Sequence, residues 1–365
     1  MPEVQALEKR PCPECGGDTT WNPAKQALVC PYCGTVVPGQ PSAEGGTAVE
    51  HDLANTLREV GDEARGWKAD KISVKCQSCQ AISVLDRGRA AQRCDFCGSP
   101  SIQPYEETKD PIRPESLLPF KIAETTVRDS IRRWYGTRWF APNRLKKAAL
   151  TDTLKGVYLP YWTFDAQAFA HWTAESGYHY YVTETYRDSN GHTKTRQVQR
   201  TRWVPNSGQL QHFFDDTLVP GTVGVDLNLL HGVEPFPTSK ELVPYDAGFI
   251  RGWVVERYQV DLGRAANSSK AKMDEELRAL CAREVPGDTH RNLQVSAQYS
   301  RRTFKHVLLP IWLLTYTFGS RVFQVLVNGY TGAIAGCRPY SWGKITLAVL
   351  AGLAAIGIVV LLANR

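Results

Sequence analysis

No nucleotide-cradling motif occurs in this 365-residue chain. The string GxxxxGKS/T is absent, and its nearest approach, Gly343-Lys344-Ile345, has the wrong spacing and leads straight into an apolar run. ATPase and helicase motors of the P-loop kind are thereby excluded, because the loop needs its glycines and lysine in one turn around the phosphates. HExxH, GxSxG and GxGxxG are missing as well, which argues against zinc peptidases, nucleophile-elbow hydrolases and dinucleotide enzymes. The eight histidines are scattered singly and read as surface or core residues. Asp215-Asp216 follow Phe213-Phe214, but neighbours on a strand point to opposite faces, so the two acids are not read as a catalytic pair. Charge of either sign is in short excess: 43 Lys and Arg against 37 Asp and Glu leave +6, too little to demand a nucleic-acid partner. The chain is expected not to be an enzyme.

One stretch lacks charge altogether. From Ile345 to Ala363 every side chain is aliphatic, small or hydroxyl, with Lys344 before it and Asn364-Arg365 after. At ~1.5 Å per residue, a helix of that length comes just under the ~30 Å of bilayer hydrocarbon. Residues 344–364 are therefore expected to cross a membrane once. A buried core helix is the plainer alternative, but a helix apolar on every side and flanked by cations has no face to give to solvent. Tyr340 and Trp342 suit the interfacial aromatic belt, and Arg338 with Lys344 bias that flank towards the cytoplasm. Membrane lipid is thus an expected partner. The expected location is the cytoplasmic membrane, single-pass, with the N-terminal domains in the cytoplasm.

What the chain does have is a duplicated cysteine pattern. Cys12, Cys15, Cys30 and Cys33 read CxxC, fourteen residues, CxxC, and Cys76, Cys79, Cys94 and Cys97 repeat it sixty-four positions later. Four thiolates so arranged can close a tetrahedral site at Zn–S distances of ~2.3 Å, with no position left for water or substrate. Two structural Zn²⁺ ions in two small zinc ribbons are expected. Two disulfides per module are the alternative; no signal peptide is seen before Cys12, and a reducing cytosol keeps such pairs as thiols. Gly16, Gly34 and Gly98 follow three of the four knuckles, where a positive φ is cheap only for glycine. Gln80 takes that place in the remaining one.

Composition divides the rest. Residues 1–37 form the first ribbon, and 38–70 a linker with a short helix marked by Leu53, Leu57 and Val60. Residues 71–103 form the second ribbon, 110–340 a mixed α+β domain, and 344–364 the membrane helix, giving an α+β fold class for the whole. Within the middle domain, Val127, Ile131 and Trp134 mark one face of a helix, while Met273, Leu277, Leu280 and Cys281 stripe another. Tyr178 to Val204 reads as a hairpin turning at Asp188-Ser-Asn-Gly191, and Val322 to Ala335 as a second, turning at Asn328-Gly329 or Thr331-Gly332. Cys337 has no partner in sequence reach. Val157-Tyr-Leu-Pro-Tyr-Trp162 is echoed by Val307-Leu-Leu-Pro-Ile-Trp312. Proline inside an apolar run belongs at strand starts, edges or bulges, so the domain reads as two related halves, unless the echo is chance.

Basic residues interleave with aromatics in two places. Arg128, Arg132, Arg133, Arg138, Arg144, Lys146 and Lys147 surround Trp134, Tyr135, Trp139 and Phe140, while Arg196, Arg200 and Arg202 alternate onto one face of the first hairpin. Such surfaces suit phosphates of lipid or nucleic acid. An ordinary solvated face is the alternative.

Two N-terminal ribbons, Leu118-Pro-Phe-Lys-Ile122, Trp139-Phe-Ala-Pro142, Gly156 to Asp165, Glu256-Arg-Tyr258, His306 to Trp312 and Val327-Asn-Gly-Tyr-Thr-Gly332 precede the apolar helix. In this order they resemble the bacterial double zinc-ribbon, tail-anchored membrane proteins encoded beside phage-shock-protein-A-like and SPFH proteins. Members carry names such as TFIIB-type zinc ribbon protein or primosomal protein N′ (superfamily II helicase), and the helicase name does not suit a chain without nucleotide motifs. The resemblance implies a non-enzymatic membrane adaptor that brings a phage-shock-type coat protein, an SPFH-type protein or both to a stressed membrane. The alternative is a nucleic-acid-binding ribbon protein held at the membrane. The ribbon loops, with Glu14, Asp18, Lys25 and Asp86, Arg87, Arg89, Arg93, Asp95, mix their charges and lack the basic stripe that phosphates require, so nucleic acid is not the expected partner.

Overall fold

The computed structural model describes residues 11–38, 50–59, 71–86, 93–105, 112–140, 142, 154–187, 192–250, 253–318 and 321–363. The first cysteine set sits on a small sheet of its own, β1 (Thr20–Asn22), β2 (Ala27–Val29) and β3 (Val36–Pro38), paired antiparallel in that order. After it come β4 (His51–Asp52) and α1 (Leu53–Glu59), then the strands of the second set, β5 (Lys71–Cys76), β6 (Ile82–Asp86) and β7 (Ile102–Pro104). The middle region opens with β8 (Ser116–Leu117), α2 (Glu124–Gly136), β9 (Leu154–Arg187) and β10 (Thr193–Pro220). It continues through α3 (Leu227–His231), α4 (Thr238–Glu241), β11 (Val243–Pro244), α5 (Ala247–Ile250), β12 (Val254–Glu256) and α6 (Leu262–Glu284). β13 (Thr289–Phe318), β14 (Arg321–Asn328), β15 (Ile334–Gly336) and α7 (Trp342–Ala363) complete it.

β4 to β15 form one 12-stranded sheet whose main path runs β11-β8-β13-β9-β12-β6-β5-β7. The second cysteine set is continuous with the middle region's sheet: its strand β6 pairs with β12 and carries the sheet on into β5 and β7.

The echoed segments are neighbours. Leu159 faces Leu309 in the antiparallel pairing of β9 with β13, so a local two-fold axis between them exchanges Val157–Trp162 with Val307–Trp312. The surroundings follow the same exchange. Short β12 lies parallel to β9, and short β8 parallel to β13; α6 follows the one and α2 the other. The Trp162 indole N–H donates to the Val260 carbonyl at 2.9 Å, and that of Trp312 to Ile122 at 3.0 Å. Tyr258 and Phe120 meet these indoles edge-on, each at 5.1 Å between ring centroids. The amides of Gly221 and Gly329 donate to Pro160 and Pro310, each at 2.8 Å, which satisfies prolyl carbonyls where the ladder breaks.

The two helices cover one face of the sheet. α2 buries Val127, Ile131 and Tyr135, so the stripe runs through Tyr135 and leaves the expected Trp134 on its flank; the Tyr135 hydroxyl donates to that of Tyr316 at 2.9 Å. α6 is capped by the Asp261 carboxylate, which accepts from the Arg264 amide at 2.8 Å. It buries Ala265, Ala266, Ser269, Met273, Leu277 and Cys281, and Cys281 is a core residue as expected. Its small residues sit over Ala166, Ala168 and Ala170 of β9, a pairing without long side chains that brings helix and sheet close. In α1, Leu53 is buried but Leu57 is 40% exposed; the expected stripe does not continue, and Val60 lies outside the described residues. The first hairpin is far longer than expected, its strands running back to Leu154 and on to Pro220. Its turn at 188–191 lies outside the described residues.

Candidate metal centres

All four knuckles are built alike. The amides of Gly16, Gly34, Gln80 and Gly98 donate to the carbonyls of Cys12, Cys30, Cys76 and Cys94 at 2.9–3.0 Å. Each of the four residues has positive φ, between 64° and 77°. Gln80 thus adopts the glycine conformation, and its side-chain amide donates to the Gln77 carbonyl at 2.8 Å.

These turns aim four sulfurs inward twice over. Within each cluster the Sγ atoms all lie within 4.8 Å of one another, with Cys12–Cys33 and Cys15–Cys30 at 3.4 Å and Cys76–Cys97 and Cys79–Cys94 at 3.6 Å. A tetrahedron with metal–sulfur bonds of ~2.3 Å separates its sulfurs by about 3.8 Å. Two metal ions fit, one per cluster, and an all-thiolate set is consistent with zinc. In each cluster a thiol is held below its ordinary value by a hydrogen-bond partner. Cys33 is drawn down to about 6, first by the Thr35 hydroxyl 3.0 Å away. Cys94 is drawn down to about 5, first by its hydrogen bond with Cys79, whose own thiol the same pairing pushes far up.

The clusters differ in what lies behind them. In the first, Cys15 and Cys33 are exposed, and Tyr32, inside the second knuckle, is 79% exposed. Its sheet meets the rest through Trp21, which donates to the Phe120 carbonyl at 2.9 Å and packs against Phe249 at 4.9 Å between ring centroids, with Leu28 and Val37 in the same core and the Gln26 amide donating to Phe120 and Lys121 at 3.3 Å. In the second, Phe96 holds the same place as Tyr32 and is 0% exposed. Its carbonyl accepts from the Thr315 hydroxyl at 2.6 Å and from Gln324 at 3.2 Å, and Asp95 pairs with Lys155. Glu256, buried on β12 one strand away, is pushed up to about 8 by burial.

At the other end, α7 is the one helix among the described residues long and apolar enough to cross a membrane, and none of its apolar window is buried. Its first turn is tied to the chain after α2: the Ser341 amide donates to Phe140 at 2.8 Å and the Lys344 ammonium to Trp139 at 3.0 Å. Trp139 and Trp342 are 77% and 80% exposed, with Phe140 and Tyr340 also out in solvent. Sequence reasoning placed two of these aromatics in a basic cluster and two in a membrane belt; the structure gathers all four at the base of α7.

The basic cluster is only partly assembled. Arg128 pairs with Glu124 at 2.5 Å and Arg132 with Asp129 at 3.0 Å on the same helix. Arg133 donates to the Ser130 hydroxyl at 3.3 Å, and Arg138 lies 4.8 Å over the Trp134 ring. Two of its four described cations are thus offset locally. Arg144, Lys146 and Lys147 lie outside the described residues. On the hairpin, Arg196 and Arg200 share the Glu184 carboxylate at 3.2 and 2.7 Å, which holds Glu184 below its usual range, the Arg200 hydrogen bond first.

The Asp215-Asp216 pair behaves differently from strand alternation. A bulge between Phe214 and Thr217 places a carboxylate oxygen of each within 4.8 Å of one on Asp165, and the Lys305 ammonium meets Asp216 at 2.7 Å. The lysine supplies the positive charge that this buried group needs.

No protein-family model matches the chain, and no solved structure does. The chain is 22% identical over 242 residues, 64% of its length, to "Uncharacterized protein YdjG" of Bacillus subtilis (strain 168). That match spans 66% of the relative.

Proposed function

We propose that this protein is a membrane-anchored, non-catalytic adaptor. Its two four-cysteine clusters hold structural zinc in two ribbons, and α7 spans the cytoplasmic membrane with the domains before it in the cytoplasm. The domains serve to recruit a protein partner, of the phage-shock-protein-A-like or SPFH type that the sequence resemblance implies. The observation that carries the reading is the base of α7, where four exposed aromatics and the cations Arg138, Arg338 and Lys344 gather around a fully exposed apolar helix. That is the composition of an interfacial belt. Arg133 and Arg138 then face anionic lipid, each contributing ~1 kcal/mol near such a surface. The middle domain, built as two related β-α-β-β halves, is a platform. Closed four-sulfur sites leave a metal no position for substrate, which suits a structural role.

The test is recovery from detergent-solubilised membranes followed by mass spectrometry. The full chain is expected to bring a coat-type protein with it, and the chain truncated before Lys344 to become soluble and to leave that partner off the membrane. Recovery of no such protein, or membrane retention of the truncated chain through high-salt washing, would sink the reading.

A further inference from the structure

Beyond Gly177 the long arm loses both of its covers. β13 starts at Thr289, opposite Gly177, and α6 has already ended at Glu284. Only β9 and β10 continue, paired from Tyr178–Arg202 to Arg187–Thr193. The register sorts their side chains. One face takes Tyr178, Tyr180 and Tyr186 from β9 and Lys194, Arg196, Arg200 and Arg202 from β10, all exposed. It prolongs the face that α6 covers lower down, so a core face emerges past the helix end as an aromatic and cationic surface. The opposite face is mostly Thr and Gln.

We propose that this face binds an extended acidic segment of a protein partner. Tyrosine and arginine are the residues that dominate protein–protein contacts, and they make up six of the seven exposed aromatic and basic residues on this face. The arm already shows how a carboxylate docks: Glu184 lies between Arg196 and Arg200 at 3.2 and 2.7 Å, while Arg196 lies 5.5 Å over Tyr186 and Arg202 6.0 Å over Tyr178. A two-stranded ribbon also presents far fewer than the roughly 20–30 residues a globular interface uses on each side; it fits a strand-like segment. Lipid is disfavoured by position. At ~3.4 Å per residue, β9 runs about 110 Å along its contour from Leu154, near the base of α7, to Arg187, and surface potentials fade within ~8 Å at physiological salt.

The inference rests on the adaptor reading, for which it supplies a grip. The full chain in nanodiscs of zwitterionic lipid would be titrated with a fluorescent peptide alternating Glu and Val, and with its Gln-for-Glu counterpart. The acidic peptide is expected to bind about tenfold tighter or better. Two variants, Arg196→Gln with Arg200→Gln and Arg202→Gln, and Tyr178→Ser with Tyr180→Ser and Tyr186→Ser, should each weaken it about tenfold, with metal content unchanged. Hydrogen exchange should slow in both arm strands on binding. Equal binding of the two peptides, or loss with the arginine set but not the tyrosine set, would overturn the proposal and leave a charged edge that merely deters strand pairing. Tighter binding of single-stranded or duplex DNA, or of phosphatidylglycerol vesicles, lost in the same variants, would overturn it in favour of that occupant. Failed peptide binding with partner recovery intact would spare the adaptor reading, and the reverse pattern would sink that reading alone.

Discussion

The two cysteine clusters share spacing, knuckle geometry and sulfur separations, yet the molecule uses them differently. The first keeps its own three-stranded sheet and an exposed Tyr32, and within the described residues docks on the body by side chains alone, Trp21, Gln26 and Leu28 among them. The second is the end of the main sheet, its Phe96 sealed in the core and bonded to β13 and β14. A motif that specifies a metal site does not specify what the metal supports. That follows from what the strands around each site pair with, β1–β3 with one another and β6 with β12, and the exposed Tyr32 and buried Phe96 mark the difference.

The sharpest break of the comparison is Cys94→Ser against Cys30→Ser. Each should lower the metal content by one ion. Only Cys94→Ser should move the main thermal unfolding transition, by several kcal/mol out of the ~10–16 kcal/mol a structural zinc contributes; indistinguishable calorimetric transitions would show the second cluster to be as detached as the first. Next, Phe96→Ala should cost ~3–5 kcal/mol in denaturant unfolding, and Tyr32→Ala no more than ~0.5 kcal/mol.

Acidity should separate them too. Glu256, beside the second cluster's strands, keeps its proton in the fold up to about 8, against an ordinary value of 4.5. Between those values the unfolded chain releases a proton that the folded chain retains. Stability contributed below the unfolded value is therefore lost as pH rises through about 8, at up to ~1.4 kcal/mol per pH unit. Glu256→Gln should flatten that slope, and an unchanged pH profile of the melting temperature would refute the assignment. A smaller break is expected at the knuckles. Gln80→Gly should tighten the second site by ~1 kcal/mol through relief of its left-handed backbone, and Gly34→Ala should loosen the first by a similar amount, as read by competition with a chromophoric chelator.

Local patterns were legible in the sequence, and long-range ones were not. Both cysteine sets and the apolar helix announce themselves within a few dozen residues, because metal ligation and membrane crossing each fix residue type and spacing. The echo around Pro160 and Pro310 was visible, but not that its copies lie against each other, since pairing across 150 positions leaves no local mark. The arm was underestimated because the buried face of β9 is written in alanine, which alternates only weakly with Gln, Phe and His on the other side. Asp215 and Asp216 escaped because the alternation rule fails at a bulge. Tyr135 displaced Trp134 from the α2 stripe through a hydroxyl partner, Tyr316, that lies 181 positions away.

The register of β9 with β13 also has a consequence for synthesis. β10 follows β9 directly and can zip onto it within microseconds. β13 is complete only at Phe318, 131 residues after Arg187, or roughly 7–26 s later at ~5–20 residues per second. Throughout that interval the other edge of β9 stands open with its amides and carbonyls unpaired, a template for any neighbouring strand. Ribosomes queued on one message would hold several such edges close together, and each stays open until the last third of its own chain arrives.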